Sequence, residues 1–126
     1  MISSKKLSLF FLATFLISSS VCMASVASIN MHHNGSHGTH SEHYLPADMP
    51  IVYFDSDAME IIIEADGFAG YYNVEVRLMP SSDPVILTQI DGYGDTIDVS
   101  SLPAGYYQLV ITSSKHNVYE GYVNIE

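Results

Sequence analysis

The chain has 126 residues, a formal net charge of −10 and a single cysteine. Fourteen acidic residues stand against four basic ones, and two of the four, Lys5 and Lys6, lie near the N-terminus. Because nucleic-acid binding requires Lys and Arg to neutralise phosphates, this balance excludes nucleic acid as a partner and disfavours anionic membrane surfaces. A length of about 100 residues after removal of an export signal fits one domain.

Residues 1–24 have the pattern of a secretory signal peptide. Two lysines precede an apolar stretch from Leu7 to Ile17, and small residues follow it. The stretch is shorter than the ~20 residues that a membrane-spanning helix needs, and no later stretch approaches that length. We expect cleavage after Ala24 or Ala27 and a protein that is periplasmic, cell-surface or extracellular. Acylation at Cys22 is an alternative, although Val21 is bulkier than the residue that usually precedes a lipidated cysteine.

Residues 25–50 are predicted to form a polar leader. The tract Met31–His43 has almost no apolar residues, so we expect it to contribute no packed core, with an edge strand near residues 29–33 as an alternative. Imidazole is a ligand for Zn, Cu and Ni, and a flexible chain could wrap several of these rings around one ion. A polar linker in which the histidines are incidental is the preferred interpretation, and weak divalent binding is the alternative. The candidate metal ligands are His32, His33, His37, His40 and His43.

From Ile51 to Glu126 the pattern changes to short β-branched and aromatic runs separated by Asp, Gly, Ser and Pro. The strongest alternation lies in Tyr71–Met79, where even-numbered residues face inward and odd-numbered ones outward. The predicted strands are 51–54, 59–64, 71–79, 84–90, 96–99, 106–112 and 118–125. The predicted core includes Val74, Val76, Leu109, Ile111 and Val123.

About seven short strands without a helical period predict an all-β domain over residues 51–126. The spacing favours an antiparallel β-sandwich of the immunoglobulin-like kind, with the last two strands joined in a hairpin around Ser113–Asn117. A small barrel remains an alternative, because alternation does not determine how the two sheets are joined.

The C-terminal part resembles a family of small secreted immunoglobulin-like domains of unknown function from Bacteroides and relatives. The matching elements are Asp95–Val99, the corner Leu102–Tyr107 and the Tyr-x-Gly element Tyr119–Gly121. The resemblance implies the fold and an exported location, and it implies no activity. The same corner is more weakly similar to the C-terminal sorting domains of type IX secretion cargo, which would make the protein a secretion or assembly accessory.

The corner also has a physical interpretation. Pro103 fixes φ before a strand, Gly105 would permit a tight approach, and Tyr107 could bond back to a backbone group, as in a tyrosine corner. We therefore expect these residues to be structural.

Catalytic motifs are absent from the sequence, which contains neither a nucleophile elbow nor a phosphate loop nor an H-E-x-x-H element. Five of the six histidines lie in the leader, and His116 falls in a predicted turn. We therefore expect no enzyme and no cofactor.

Calcium held between neighbouring turns is a further alternative. Asp55 and Asp57 flank one turn, and Asp91 and Asp95 flank another. Solvated turns are the preferred interpretation, because Asp is a common turn former.

The nine tyrosines supply the remaining candidate site. Tyr71, Tyr106 and Tyr122 alternate with inward-facing neighbours and could present their rings to a protein or glycan partner. Cross-strand pairing on a half-exposed sheet is the simpler interpretation. The function we expect is a secreted or cell-surface binding module, and metal binding through the leader is the alternative.

Overall fold

In a computed structural model, residues 25–34 and 46–126 are described, and they form two antiparallel β-sheets packed face to face. The seven predicted strands correspond to β3–β9, and two short strands precede them, so the all-β sandwich is confirmed. The nine strands are β1 (Val26–Ile29), β2 (His32–His33), β3 (Ile51–Asp55), β4 (Glu60–Glu64), β5 (Tyr71–Leu78), β6 (Asp83–Asp91), β7 (Gly94–Asp98), β8 (Gly105–Ser113) and β9 (Val118–Ile125).

The two sheets divide the strands in an order that alternation alone does not determine. The four-stranded sheet has the order β1-β3-β4-β7, and the five-stranded sheet has the order β2-β9-β8-β5-β6. Because the strands form two separate sheets, the fold is a sandwich and not a small barrel. In the described residues no helix is long and apolar enough to cross a membrane.

The core lies between the sheets and contains the residues predicted for it. The side chains of Val74, Val76, Leu109, Ile111 and Val123 are all buried. They lie on inward positions of β5, β8 and β9, whose register pairs Val76 with Leu109 and Val74 with Ile111. The alternation predicted for β5 is therefore confirmed.

The tract that begins at Met31 does contribute to the core, contrary to expectation. Met31 is 7% exposed and Ile29 is equally buried, because β1 and β2 each join one sheet and the chain between them crosses the edge of the sandwich. Gly121 makes room for this crossing. A Cβ at Gly121 would lie 2.5 Å from the Met31 sulfur and 2.9 Å from Ile29 Cγ2.

The tyrosine corner is confirmed, whereas the role expected for Gly105 is wrong. The buried Tyr107 hydroxyl donates a hydrogen bond of 2.6 Å to the Pro103 carbonyl. A Cβ at Gly105 would make only ordinary contacts, at 3.5 Å or more. Tight approaches occur instead at Gly92, between β6 and β7, and at Gly94, the first residue of β7. At both positions a Cβ would lie about 2 Å from a backbone carbonyl oxygen.

Candidate functional site

The three candidate tyrosines lie on the outer face of the five-stranded sheet, but the structure brings only two of them together. Tyr106 on β8 and Tyr122 on β9 stack with ring centroids 5.5 Å apart and planes 3° apart. Tyr71 begins β5, and the next residue, Tyr72, pairs with Ser113 at the opposite end of β8 from Tyr106. The three rings therefore do not form one flat surface.

A shallow groove of about 490 Å³ lies on the same outer face. Arg77 and Glu75, which form an ion pair, are among the residues that line it. Near the stacked rings, the Gln108 amide donates a hydrogen bond of 3.3 Å to the Tyr122 hydroxyl. The charged and amide groups named here are therefore partnered within the chain, and the face is a mixed polar and apolar surface. The other lining residues are Asn73, Val74, Leu87, Thr88, Val110 and Thr112.

A second group of exposed aromatic residues lies at the end of the sandwich where Tyr71 is found. Phe68 and Tyr93 are 57% and 72% exposed, in the β4–β5 and β6–β7 connections. The two connections are joined by a hydrogen bond of 3.0 Å from the Gly67 N–H to the Gly92 carbonyl. We call Phe68, Tyr71 and Tyr93 the aromatic loop end.

The Tyr93 ring packs against a glycine. Gly67 has a φ of +90°, and a Cβ there would lie 2.7 Å from two ring atoms of Tyr93. The ring therefore rests against the backbone at Gly67 while most of its surface faces solvent. Sequence reasoning assigned this position to a turn and missed the exposed ring. The sequence pattern could have indicated this exposure, because an aromatic residue between Gly92 and Gly94 has no strand face on which to be buried.

The β8–β9 turn completes the aromatic loop end. The Gly70 N–H donates a hydrogen bond of 2.8 Å to the Ser114 hydroxyl, and the Ser114 N–H donates one of 2.9 Å to the Tyr71 carbonyl. The Lys115 ammonium lies 5.9 Å from the centroid of the Phe68 ring, within the range of a cation–π contact. Three connections thus meet at this end of the sandwich.

The aspartates considered as calcium ligands accept hydrogen bonds from backbone N–H groups of the turns in which they lie. Asp55 Oδ1 accepts two turn N–H groups, one of them from Asp57 at 3.0 Å. Asp91 Oδ1 accepts the Tyr93 N–H at 2.7 Å, and Asp95 Oδ1 accepts the N–H of the next residue at 2.8 Å. In the part of the chain that the structure describes, no group of three or more His, Cys, Asp or Glu side chains is placed to hold a metal ion.

Two of the leader histidines are described, and they lie in β2. His32 is opposite Glu120 and His33 is opposite Tyr119 in the ladder with β9. The His33 ring lies 5.3 Å from the Tyr119 ring, between centroids. Because successive residues of a strand point to opposite faces, the two imidazoles point apart. The other candidate ligands, His37, His40 and His43, lie outside the described residues.

A buried carboxylate, which the sequence did not reveal, ties the chain before β3 to the last hairpin. Asp48 is 2% exposed. Its carboxylate accepts hydrogen bonds from the Asn117 amide at 3.1 and 3.2 Å and from the hydroxyls of Tyr119 and Ser113. Its backbone carbonyl accepts one of 2.6 Å from the Tyr72 hydroxyl. These partners of the carboxylate are neutral donors.

The network changes the acidity of two of its members. Burial by itself would raise the pKa of Asp48, but the hydrogen bonds from Ser113, Tyr119 and Asn117 together outweigh it and hold that pKa below its usual value. Burial, followed by the negative charges of Asp48 and Asp66, raises the pKa of Tyr72 to about 12. Asp48 and Tyr72 are both buried and hydrogen-bonded inside the fold. We therefore assign this network a structural role.

Comparison with known proteins supports the fold. No family model matches the chain, and no curated protein matches it. The chain is similar in structure to a DUF3244 family protein with an immunoglobulin-like β-sandwich fold from Bacteroides vulgatus, with a TM-score of 0.62 and 18% sequence identity. The match covers 80% of this chain and 99% of that one. The fold implied by the resemblance to Bacteroides immunoglobulin-like domains is therefore confirmed, and the chain has an immunoglobulin-like β-sandwich fold.

Proposed function

We propose that this protein is an exported, non-catalytic binding module that contacts a partner protein through its aromatic loop end. The carrying observation is the exposure of Phe68, Tyr71 and Tyr93 at one end of the sandwich, on segments that hydrogen bonds hold together. Tyrosine and phenylalanine are enriched at protein interfaces because they supply a large contact area with few rotatable bonds. Loops at one end of a sandwich are a common place for recognition, which supports the proposal by analogy of fold.

Charge supports a protein as the ligand class. After the signal peptide the chain retains only Arg77 and Lys115 as basic residues, against all fourteen acidic ones. Arg77 is already paired with Glu75 on the sheet face. Nucleic acid and anionic polymers would therefore meet repulsion, whereas a neutral or basic protein surface would not.

Site-specific photo-crosslinking in the native cell envelope tests this proposal. A benzophenone side chain placed at Tyr93 should give a discrete protein adduct, and the adduct should weaken when Phe68→Ser is introduced. The same probe at Tyr106 is the matched control, because Tyr106 is also an exposed tyrosine but lies at the other end of the five-stranded sheet. Equal adducts at both positions, or none at Tyr93, would overturn the proposal.

Export is a separate part of the proposal and has its own test. N-terminal sequencing of protein recovered from the envelope should find a mature terminus between Met23 and Ser28, as the signal pattern predicts. Recovery of the chain there with Met1 intact would contradict it.

Metal binding through the leader stays a prediction. Its test should keep the chain intact, because Ile29 and Met31 belong to the core and a truncation would remove them. Replacing the five leader histidines with Gln in the mature chain should abolish zinc binding measured by calorimetry. Unchanged zinc affinity would contradict the prediction.

A further inference from the structure

Tyr93 offers a ring that packs on one side against the backbone and is otherwise largely uncovered. Its phenol end lies against Gly67, and the side chain is 72% exposed. A ring whose positions are already limited on one side loses less conformational entropy when a ligand stacks on it. The contact with Gly67 limits where the ring can lie and leaves most of its surface open for stacking.

Two carboxylates belong to the same pair of turns. Asp66 precedes Gly67, and its Oδ1 accepts the Phe68 N–H at 3.2 Å. Asp91 Oδ1 accepts the Tyr93 N–H at 2.7 Å. A carboxylate has about four acceptor positions, so each retains capacity for a further donor. An aromatic ring and carboxylates together match a planar cation, which stacks on the ring and donates to the acids.

The aromatic loop end already holds one cation of the chain itself. The Lys115 ammonium lies 5.9 Å from the Phe68 ring centroid. In the described part of the chain, this is the cation–π contact that the structure shows, and it lies on the ring next to Gly67. A cation of the chain itself therefore lies over Phe68, whereas among the described residues the structure shows no such contact for Tyr93.

We propose that the aromatic loop end recognises an arginine side chain of the partner protein, with its guanidinium on Tyr93 and its N–H groups directed to Asp66 and Asp91. This inference rests on the proposed function and names the chemistry of that same site. Arginine fits better than lysine because its guanidinium is planar and presents several donors at once. A second copy of this chain fits poorly, since its Arg77 is paired with Glu75 and both copies carry a large negative charge.

Amide NMR of the mature protein tests the inference with defined probes. The probe is an acetylated, amidated Gly-Arg-Gly-Arg-Gly peptide, and the control is the same peptide with citrulline, which has the shape of arginine without its charge. We expect the arginine peptide to shift the amides of Gly67, Phe68 and Tyr93, and to bind at least about threefold more tightly than the citrulline peptide. Tyr93→Leu should lower the affinity for the arginine peptide by a similar factor, whereas Tyr106→Leu should leave that affinity unchanged.

Each other outcome overturns the inference. Equal binding of the two peptides would remove the role of charge, and shifts centred on Tyr106 would place the site elsewhere. Shifts at the same three amides with maltohexaose but not with the arginine peptide would identify a neutral glycan as the ligand. If the crosslink at Tyr93 persists while the arginine peptide fails, the proposed function stands and only the partner chemistry is wrong.

Discussion

The Tyr119 hydroxyl donates a hydrogen bond to the Asp48 carboxylate across 71 positions of sequence, and both residues are buried. This contact joins the segment before β3 to the final strand. Because Asn117 and Ser113 donate to the same carboxylate, one acidic side chain organises the turn end of the β8–β9 hairpin. Its removal would leave several buried donors without an acceptor.

Asp48→Ala should therefore lower the free energy of unfolding by about 2–4 kcal/mol, because buried donors that lose a charged acceptor carry their full desolvation cost. Urea denaturation at neutral pH measures the loss. Asp57→Asn is the control, since Asp57 is exposed, and it should change stability by less than about 0.5 kcal/mol. A similar effect of both variants would show that the network contributes little.

Stability should fall at acid pH in a way that depends on Asp48. The folded state lowers the pKa of this group, so its contribution is present above the ordinary aspartate value of 3.8 and is lost as the pH falls below it. Thermal unfolding between neutral pH and about pH 2.5 should show a shallower acid loss in Asp48→Asn than in the natural chain. Identical acid limbs would assign the loss to other carboxylates, such as Asp55 and Asp98, whose pKa values are also lowered by hydrogen bonds.

At alkaline pH, Tyr72 should limit stability. Its pKa is raised from 10.0 to about 12 by burial and by the charges of Asp48 and Asp66, so its contribution is complete below pH 10.0 and is lost as the pH rises through about 12. Tyr72→Phe should remove this part of the alkaline decline while lowering stability at neutral pH through the lost bond to Asp48. Unfolding curves at several alkaline pH values measure the difference, and an unchanged decline in the variant would contradict it.

Two leucines give a matched test of the inward and outward faces. Leu109 on β8 is fully buried, whereas Leu87 on β6 is 70% exposed. Leu109→Ala should cost about 2–4 kcal/mol, because it leaves a cavity in a packed core. Leu87→Ala should cost less than about 0.5 kcal/mol. Chemical denaturation of both variants measures the contrast, and equal costs would mean that the faces are assigned wrongly.

Gly121 should tolerate no side chain without movement of the crossing between β1 and β2. Gly121→Ala would bring a methyl group within 2.5 Å of the Met31 sulfur, and we expect a loss of about 1–3 kcal/mol in urea denaturation. Gly70→Ala is the control, because the nearest atom there would be 3.5 Å away. Met31→Ala should cost less in the Gly121→Ala background than in the natural chain, because it removes the clashing sulfur, and equal costs in the two backgrounds would point to Ile29 or the backbone as the obstacle.

Local pattern was sufficient to predict much of the fold. The alternation in β5 indicated which side chains face inward, and the final hairpin followed from two β-branched runs around a polar turn, with β9 at the predicted residues 118–125. The bond from Tyr107 to Pro103 was also predictable, because it spans only four residues. These features depend on neighbours in sequence, for which periodicity and turn chemistry carry direct information.

Which strands are adjacent and which distant side chains meet could be seen only in the tertiary structure. Alternation assigns a residue to a face but does not say which strands are adjacent, so it could not separate Tyr71 from Tyr106 and Tyr122. Nor could it show that Met31 enters the core through the space left by Gly121. The buried carboxylate before β3 finds its donors on β8, on β9 and in the turn between them, far along the chain. Such contacts arise from the packing of distant segments, which no local pattern records.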